Sequence, residues 1–184
     1  MSKNTITKEA LASSLKSLMK VKPLSKISVK DITEYCNISR NSFYYHFTDK
    51  YDLINWIFYS ETLKEVNIFF EPDRWAESFI NLCKYLNANS GFYRHAFRYV
   101  GQNSLSEYLL EFYFELVKIH VDTSYAEIGF KLDPDELYLI ARMQAHSYVG
   151  IIMDWVRAGM SDDYMNYFER LKRVYNLEKY RYSM

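Results

Sequence analysis

Arg40, Asn41, Tyr44, Tyr45 and His46 fall within seven residues, and Lys30 and Lys50 stand ten residues to either side of Arg40. These side chains recognise by hydrogen bonding. A guanidinium matches a guanine edge and a carboxamide an adenine edge, while ammonium and phenol groups suit phosphate oxygens. For that chemistry they must share the open side of one short helix that is braced by another.

The flanking residues supply such a frame. Ser28 and Asp31, three apart, can form a capping box for a helix that carries Ile32 inward and ends at Tyr35 and Cys36. Asn37 follows, and Asn tolerates the left-handed backbone that a helix end requires. Ser39 can cap the next helix. Phe43 and Phe47, four apart, bury one face of it, which leaves Arg40, Asn41, Tyr44, Tyr45 and His46 toward solvent or the helix edges. Asp49 can cap a further helix. Lys50 in its first turn opposes the helix dipole, which makes sense if the ammonium points at a phosphate. Two short helices joined by a three-residue turn are the layout of a helix-turn-helix that reads the DNA major groove.

The run Phe43-Tyr44-Tyr45-His46-Phe47-Thr48-Asp49-Lys50-Tyr51-Asp52-Leu53, with Val29-Lys30-Asp31-Ile32 upstream, resembles the signature of the TetR family of bacterial one-component transcription regulators. The resemblance covers residues 6 to about 55. Asn37 departs from the family's usual Gly and can take the same backbone angles. Thr33 stands where a small Ala is common, and its hydroxyl can bond back to the preceding turn. The resemblance implies that Tyr44 and Lys50 hold phosphates, with Lys30 near the backbone and His46 beside them.

Charge follows the same division. Net charge is zero, but residues 1–50 hold nine Lys and Arg against four Asp and Glu, a balance of +5, and the remainder carries −5. A basic end on an acidic body suits an oriented DNA binder. Cys36 and Cys83 make no metal-spaced pair, and a reducing cytoplasm is the simple inference. No signal peptide is expected, since the first twenty residues alternate polar and apolar at helical spacing, and no run of about 18 apolar residues occurs in the sequence.

The reading of the whole is all-α, with about nine helices. An N-terminal three-helix head with the helix-turn-helix (residues 6–66) precedes a C-terminal helical ligand-binding and dimerisation bundle (67–184). Five Gly and three Pro punctuate the chain, and no stretch alternates at period two. A first helix is expected from about Lys8 to Val21 and a fourth from Asp49 to about Phe70. Others open at Pro72, near Phe92, at Leu105, at Asp133-Pro134 and at Ser161. Asn89-x-x-Phe92-Tyr93-Arg94, Gly101-Gln102-Asn103-Ser104-Leu105 and Gly150-Ile151-Ile152-Met153-Asp154-Trp155 are similar to the family subgroup that includes regulators of dihydroxyacetone kinase operons.

Of 33 Phe, Trp and Tyr residues, 28 follow residue 50. Tyr85, Tyr93, Phe97, Phe112 and Tyr148 could line a ligand cavity with His146 as a polar handle. Aromatic stripes at helical spacing are more often core. Arg142 and Gln144 could also be handles, and exposure would explain them equally. By resemblance the last two helices dimerise, through Ile151, Trp155, Tyr164, Phe168 and Leu171, although such stripes also close a protomer's own core. Histidines at 46, 95, 120 and 146 lack metal-ligand spacing, and no Gly-rich phosphate loop or Gly-x-Ser-x-Gly occurs. No metal, cofactor or enzymatic activity is expected.

The expected function is a cytoplasmic, homodimeric regulator that binds a double-stranded, palindromic DNA operator under control of a small ligand or a partner protein. The alternative is a helical sensor or adaptor acting through a protein partner. A degenerate head would have lost Tyr44 and Lys50, and both are present.

Overall fold

The computed structural model describes residues 3–65 and 75–161 and positions 166, 167, 170 and 173. The described residues form α1 (Lys3–Met19), a 3-10 turn (Leu24–Lys26), α2 (Val29–Tyr35), α3 (Arg40–His46) and α4 (Lys50–Glu65). They continue with α5 (Trp75–Ala88), α6 (Ser90–Ala96), α7 (Leu105–Glu127) and α8 (Pro134–Arg157). There is no strand among them, as the sequence implies. The opening expected at Pro72 and most of the helix expected after Ser161 lie outside the described residues, while α5 is the described part of the helix expected from Pro72.

Contacts group the described residues within Met1–Glu61 and Asn89–Leu105 into one compact unit, and those within Thr62–Ala88 and Ser106–Met184 into a second. The first unit is built on apolar residues at helical spacing. Leu11, Leu15 and Met19 of α1 are buried, as are Ile32 of α2, Phe43 of α3 and Leu53, Ile54, Ile57 and Phe58 of α4. Each such side chain removed from water contributes roughly 1.5–3 kcal/mol before the entropy of ordering it is counted. Directed bonds then fix orientation. Ser14 Oγ donates to the Ile32 carbonyl at 2.7 Å, tying α1 to α2. Lys16 of α1 pairs with Glu61 of α4, which also accepts from the Tyr93 hydroxyl of α6 at 3.3 Å.

α1 starts at Lys3, earlier than the expected Lys8. The extra turn brings Lys8 inside the helix, where its ammonium lies 5.5 Å from the centre of the Phe47 ring and 5.8 Å from that of Trp56.

The second unit packs α5, α7 and α8 on rings. Phe79 (α5), Tyr113 (α7) and Tyr148 (α8) have centroids 5.5 to 6.3 Å apart. Cys83 is fully buried, and burial pushes its thiol, like the Tyr113 phenol, well above the ordinary range. Ala141 and Ala145, both fully buried, let neighbours approach α8 closely. Asp133 caps this helix by accepting from the Asp135 and Glu136 amides, both at 2.9 Å. Glu136 accepts in turn from the Asp133 amide at 3.0 Å, and Pro134 occupies the first turn.

Candidate nucleic-acid interface

α2 and α3 are short, and capping defines where they begin. The Ser28 amide and hydroxyl both donate to Asp31 Oδ2 at 2.7 Å, and the Asp31 amide donates to Ser28 Oγ at 3.1 Å, completing the capping box. These two bonds from Ser28, then Lys22 at 3.1 Å, hold the Asp31 carboxyl down to about 2. Thr33 Oγ1 donates to the Val29 and Lys30 carbonyls at 3.0 and 3.1 Å, so the hydroxyl at this crowded position is satisfied within its own helix. Asn37 turns the chain at φ 54°, in the left-handed region. Ser39 then caps α3 by accepting from the Ser42 amide at 3.1 Å.

α3 has two distinct faces. Phe43 is fully buried and Phe47 nearly so, their rings 5.7 Å apart. Arg40 and Asn41 are exposed on the opposite side, with Tyr44 at 51% and Tyr45 at 76% exposure. Tyr44 still meets Phe43 edge-on at 5.5 Å, while most of the Tyr45 ring is left to solvent. His46 is half-buried, its ring edge-on to Tyr45 at 4.9 Å. Lys30 is exposed on α2 and lies 3.6 Å from Glu34, a surface pair of small energetic weight.

Lys50 does not extend freely into solvent. Its ammonium donates to the Leu24 carbonyl at 2.8 Å and to the Ile27 carbonyl at 2.7 Å, pinning the start of α4 against the residue that precedes the α2 cap. Desolvation lowers its pKa, opposed by the charges of Asp49 and Asp31. Two of the three ammonium protons are thereby used. The mismatch with the helix dipole is thus offset by two backbone acceptors far upstream, which no local pattern reveals.

The sequence reading also missed the start of α1. Asn4, Thr5 and Lys8 line a groove of about 470 Å³ together with Tyr45, His46 and Trp56. The basic Lys8 was the available signal, and the early helix start is what brings it there.

The six ring and histidine positions proposed for a ligand are divided between the units. Tyr93 and Phe97 are buried in the first, where Tyr93 meets Phe58 edge-on at 6.3 Å. Tyr85, Phe112, His146 and Tyr148 belong to the second. Tyr148 sits in the Phe79–Tyr113 ring cluster and His146 is exposed. Arg142 is engaged as well: Nη1 lies 2.8 Å from Glu111 Oε1, and the guanidinium is 4.7 Å from the Phe114 ring centre. Of the residues proposed for dimerisation, Ile151 is half-buried. Trp155 is fully buried in its own unit, its indole N–H donating to the Ser161 carbonyl at 3.0 Å. Tyr164, Phe168 and Leu171 lie outside the described residues. Among the described residues no three His, Cys, Asp or Glu gather as metal ligands, and no helix is long and apolar enough to cross a membrane.

An all-α chain whose capped helix-turn-helix presents Arg, Asn and Tyr side chains belongs among helical transcription regulators. Comparison with known families makes the assignment specific. Residues 13–57 match the model described as bacterial regulatory proteins, tetR family, and residues 73–177 match a transcriptional regulator C-terminal region. The chain belongs to the TetR family of transcription regulators, not to an enzyme family. It is similar to the HTH-type dhaKLM operon transcriptional activator DhaS of Lactococcus lactis, with 32% identity over 97 residues, 53% of this chain and 52% of that one. The chain therefore matches about half the length of that curated relative. A solved structure of a dihydroxyacetone kinase operon activator DhaS shares the fold, with TM-score 0.62 and 23% identity over 92% of this chain and 96% of that one. So does a fatty acid degradation regulator FadR from Bacillus halodurans, with TM-score 0.58 and 13% identity over 95% of each chain.

Proposed function

We propose that this protein is a cytoplasmic homodimer that binds a palindromic DNA operator through α3 and is controlled by a small ligand or a partner protein acting on its C-terminal residues. The observation that carries the reading is the division of α3, with Phe43 and Phe47 buried and Arg40, Asn41, Tyr44 and Tyr45 exposed. On this reading Arg40 and Asn41 read base edges, Tyr45 lies along the groove, and Tyr44, Lys30 and His46 approach phosphates. Ser39 holds the N-terminus of α3 in register. Lys50 keeps one N–H for a phosphate while its other two hold the turn before α2.

A homodimer is supported by an exposed line on α8. Leu139 and Met143 are 59% and 64% exposed, and His146, Ser147 and Gly150 continue the same face. Apolar residues followed by small ones suit close pairing of helices across a two-fold axis. Pairing matters because one seven-residue helix gives too little contact for useful specificity, and two heads about one helical turn apart supply it. The DhaS relatives bear an activator's name. The direction of control in this protein is read from a reporter fused to the selected site.

The test is selection of fragments from the organism's own DNA, followed by salt titration on the best one. Recovery of a palindromic site, bound by a dimer in sedimentation with a steep salt dependence, is expected. Weak binding that is equal on all fragments would overturn the reading in favour of an adaptor. On the selected site Arg40→Ala should relax base preference at one position, at a cost of about 1–3 kcal/mol. Equal losses on selected and random DNA would remove Arg40 from base reading.

A further inference from the structure

The loop between α6 and α7 grips the start of α4 at three points, all inside the first compact unit. Asn103 Nδ2 donates to Asp49 Oδ2 at 2.9 Å. The Asn103 carbonyl accepts from Asn55 Nδ2 at 3.0 Å, one and a half turns further along α4. Tyr99 stacks on Tyr51, the ring centres 3.5 Å apart and the planes 5° from parallel. Asp49 is the helix cap itself, since its other oxygen accepts from the Tyr51 and Asp52 amides at 2.7 and 2.8 Å. Asn55 is buried, and the Asn103 carbonyl satisfies its amide N–H while its Oδ1 has no partner among the described residues.

The residue type at 103 answers two demands at once. Its φ is 62°, a left-handed conformation that Gly, Asn and Asp take most readily. Gly would meet the backbone demand and lose the bond. Asp would set a second carboxylate against Asp49. Of these three residue types only Asn carries a side-chain donor for the carboxylate, which also fixes which way the amide points.

The next link leads to the DNA-reading helices. Lys50, adjacent to the Asp49 cap, holds the Leu24 and Ile27 carbonyls immediately before the Ser28 cap of α2. Only Phe47, Thr48 and Asp49 separate α3 from α4. We infer that Asn103 is a positioning residue for DNA reading: through the Asp49 cap and Lys50 it holds α2 and α3 in the orientation that the groove requires. This rests on the DNA-binding reading above. It adds that a residue remote in sequence from the helix-turn-helix, touching no DNA, sets operator affinity.

The test is a polarity swap. Asn103→Asp should lower affinity for the selected fragment roughly tenfold or more, the effect of replacing a charge-assisted hydrogen bond by repulsion. Binding to random DNA at low salt, which phosphate contacts carry, should change little. Asp49→Asn combined with Asn103→Asp reverses donor and acceptor, keeps a capping residue at 49, and should restore affinity to within about threefold of wild type. Amide hydrogen exchange in the first turns of α2 and α4 gives a readout without DNA, faster in Asn103→Asp and slowed again in the swap. Should Asn103→Asp fail to fold, Asn103→Gly keeps the backbone conformation and should still lose selected-site affinity and exchange protection. Wild-type affinity in Asn103→Asp or Asn103→Gly, or a swap that rescues neither affinity nor exchange, overturns the inference. A wild-type protein that selects no fragment instead overturns the regulator reading, and the exchange data still decide whether Asn103 holds the starts of α2 and α4.

Discussion

The two compact units are held by different kinds of contact. In the first, named polar atoms meet at set distances: the Ser28–Asp31 box, Ser14 on the Ile32 carbonyl, Lys50 on two carbonyls, and Asn103 on Asp49. In the second, the centre is a pile of rings around Phe79, Tyr113 and Tyr148. Directed bonds fix angles, which a helix proposed to enter a groove needs. Ring packing fills volume and fixes angles less strictly. The first unit is thus built for orientation and the second for cohesion.

The sharpest way to break that comparison is to remove one ring from each side of α3. Phe43→Ala empties a fully buried site and should cost about 3–5 kcal/mol, lowering the melting temperature and abolishing DNA binding. Tyr45→Ala touches a ring that is 76% exposed and should leave stability within about 0.5 kcal/mol while weakening DNA binding. Thermal melts and fragment binding on both variants check this. A large stability loss in Tyr45→Ala would mean that the open face of α3 also serves folding.

Lys50→Ala should have the next largest effect, because it removes a charge and two directed bonds together. Binding to all DNA sequences should weaken roughly tenfold, and the salt slope should fall by about one if the remaining N–H meets a phosphate. Weaker binding with an unchanged slope would assign Lys50 wholly to holding the turn before α2. That result would strengthen the view of the first unit as an orienting frame.

Much of this frame could be read from the sequence because it is local. The Ser28 box, the Ser39 cap, Asn37 in the left-handed region and the Phe43–Phe47 face all depend on residues within four positions of each other. The Asp133-Pro134 start of α8 is legible for the same reason. What escaped depends on distance along the chain. The Lys50 carbonyl partners lie 23 and 26 residues upstream, and the Asn103–Asp49 bond spans 54. Trp155 shows a third difficulty. An apolar stripe does not tell which neighbour covers it, and its own core does so here, while Leu139 and Met143 form the open face. The α1 start escaped because Asn4, Thr5 and Thr7 are all cap-type residues, so the sequence marks no single start before Lys8.

Acid provides a gentler probe of the directed bonds. The Asp31 carboxyl ordinarily titrates near 3.8 and is held at about 2 by Ser28 and then Lys22. A depressed carboxyl stabilises the fold above its unfolded value and loses that contribution as pH falls through the folded one. The stability gap between wild type and Asp31→Asn should therefore be full above about pH 4 and close toward about pH 2. Melting temperatures measured across that window decide it, and a gap that stays constant would mean that the charge of Asp31 does not contribute.

The smallest effect is expected at a directed contact between side chains of α7 and α8 in the second unit. Arg142 Nη1 lies 2.8 Å from Glu111 Oε1, and its guanidinium stacks over Phe114 at 4.7 Å and near Tyr138 at 6.0 Å. The glutamate is largely exposed, so water screens the pair, and the stacking is partial. Arg142→Ala should cost about 1 kcal/mol or less and leave operator binding unchanged. Arg142→Lys keeps the charge and loses the planar stack, so comparing the two variants separates ion pair from ring contact. A loss beyond about 2 kcal/mol would mean that the pair is desolvated in the assembled protein. The second unit would then be held by a directed polar contact of the kind that fixes the first, and the contrast between orientation and cohesion would no longer divide the molecule.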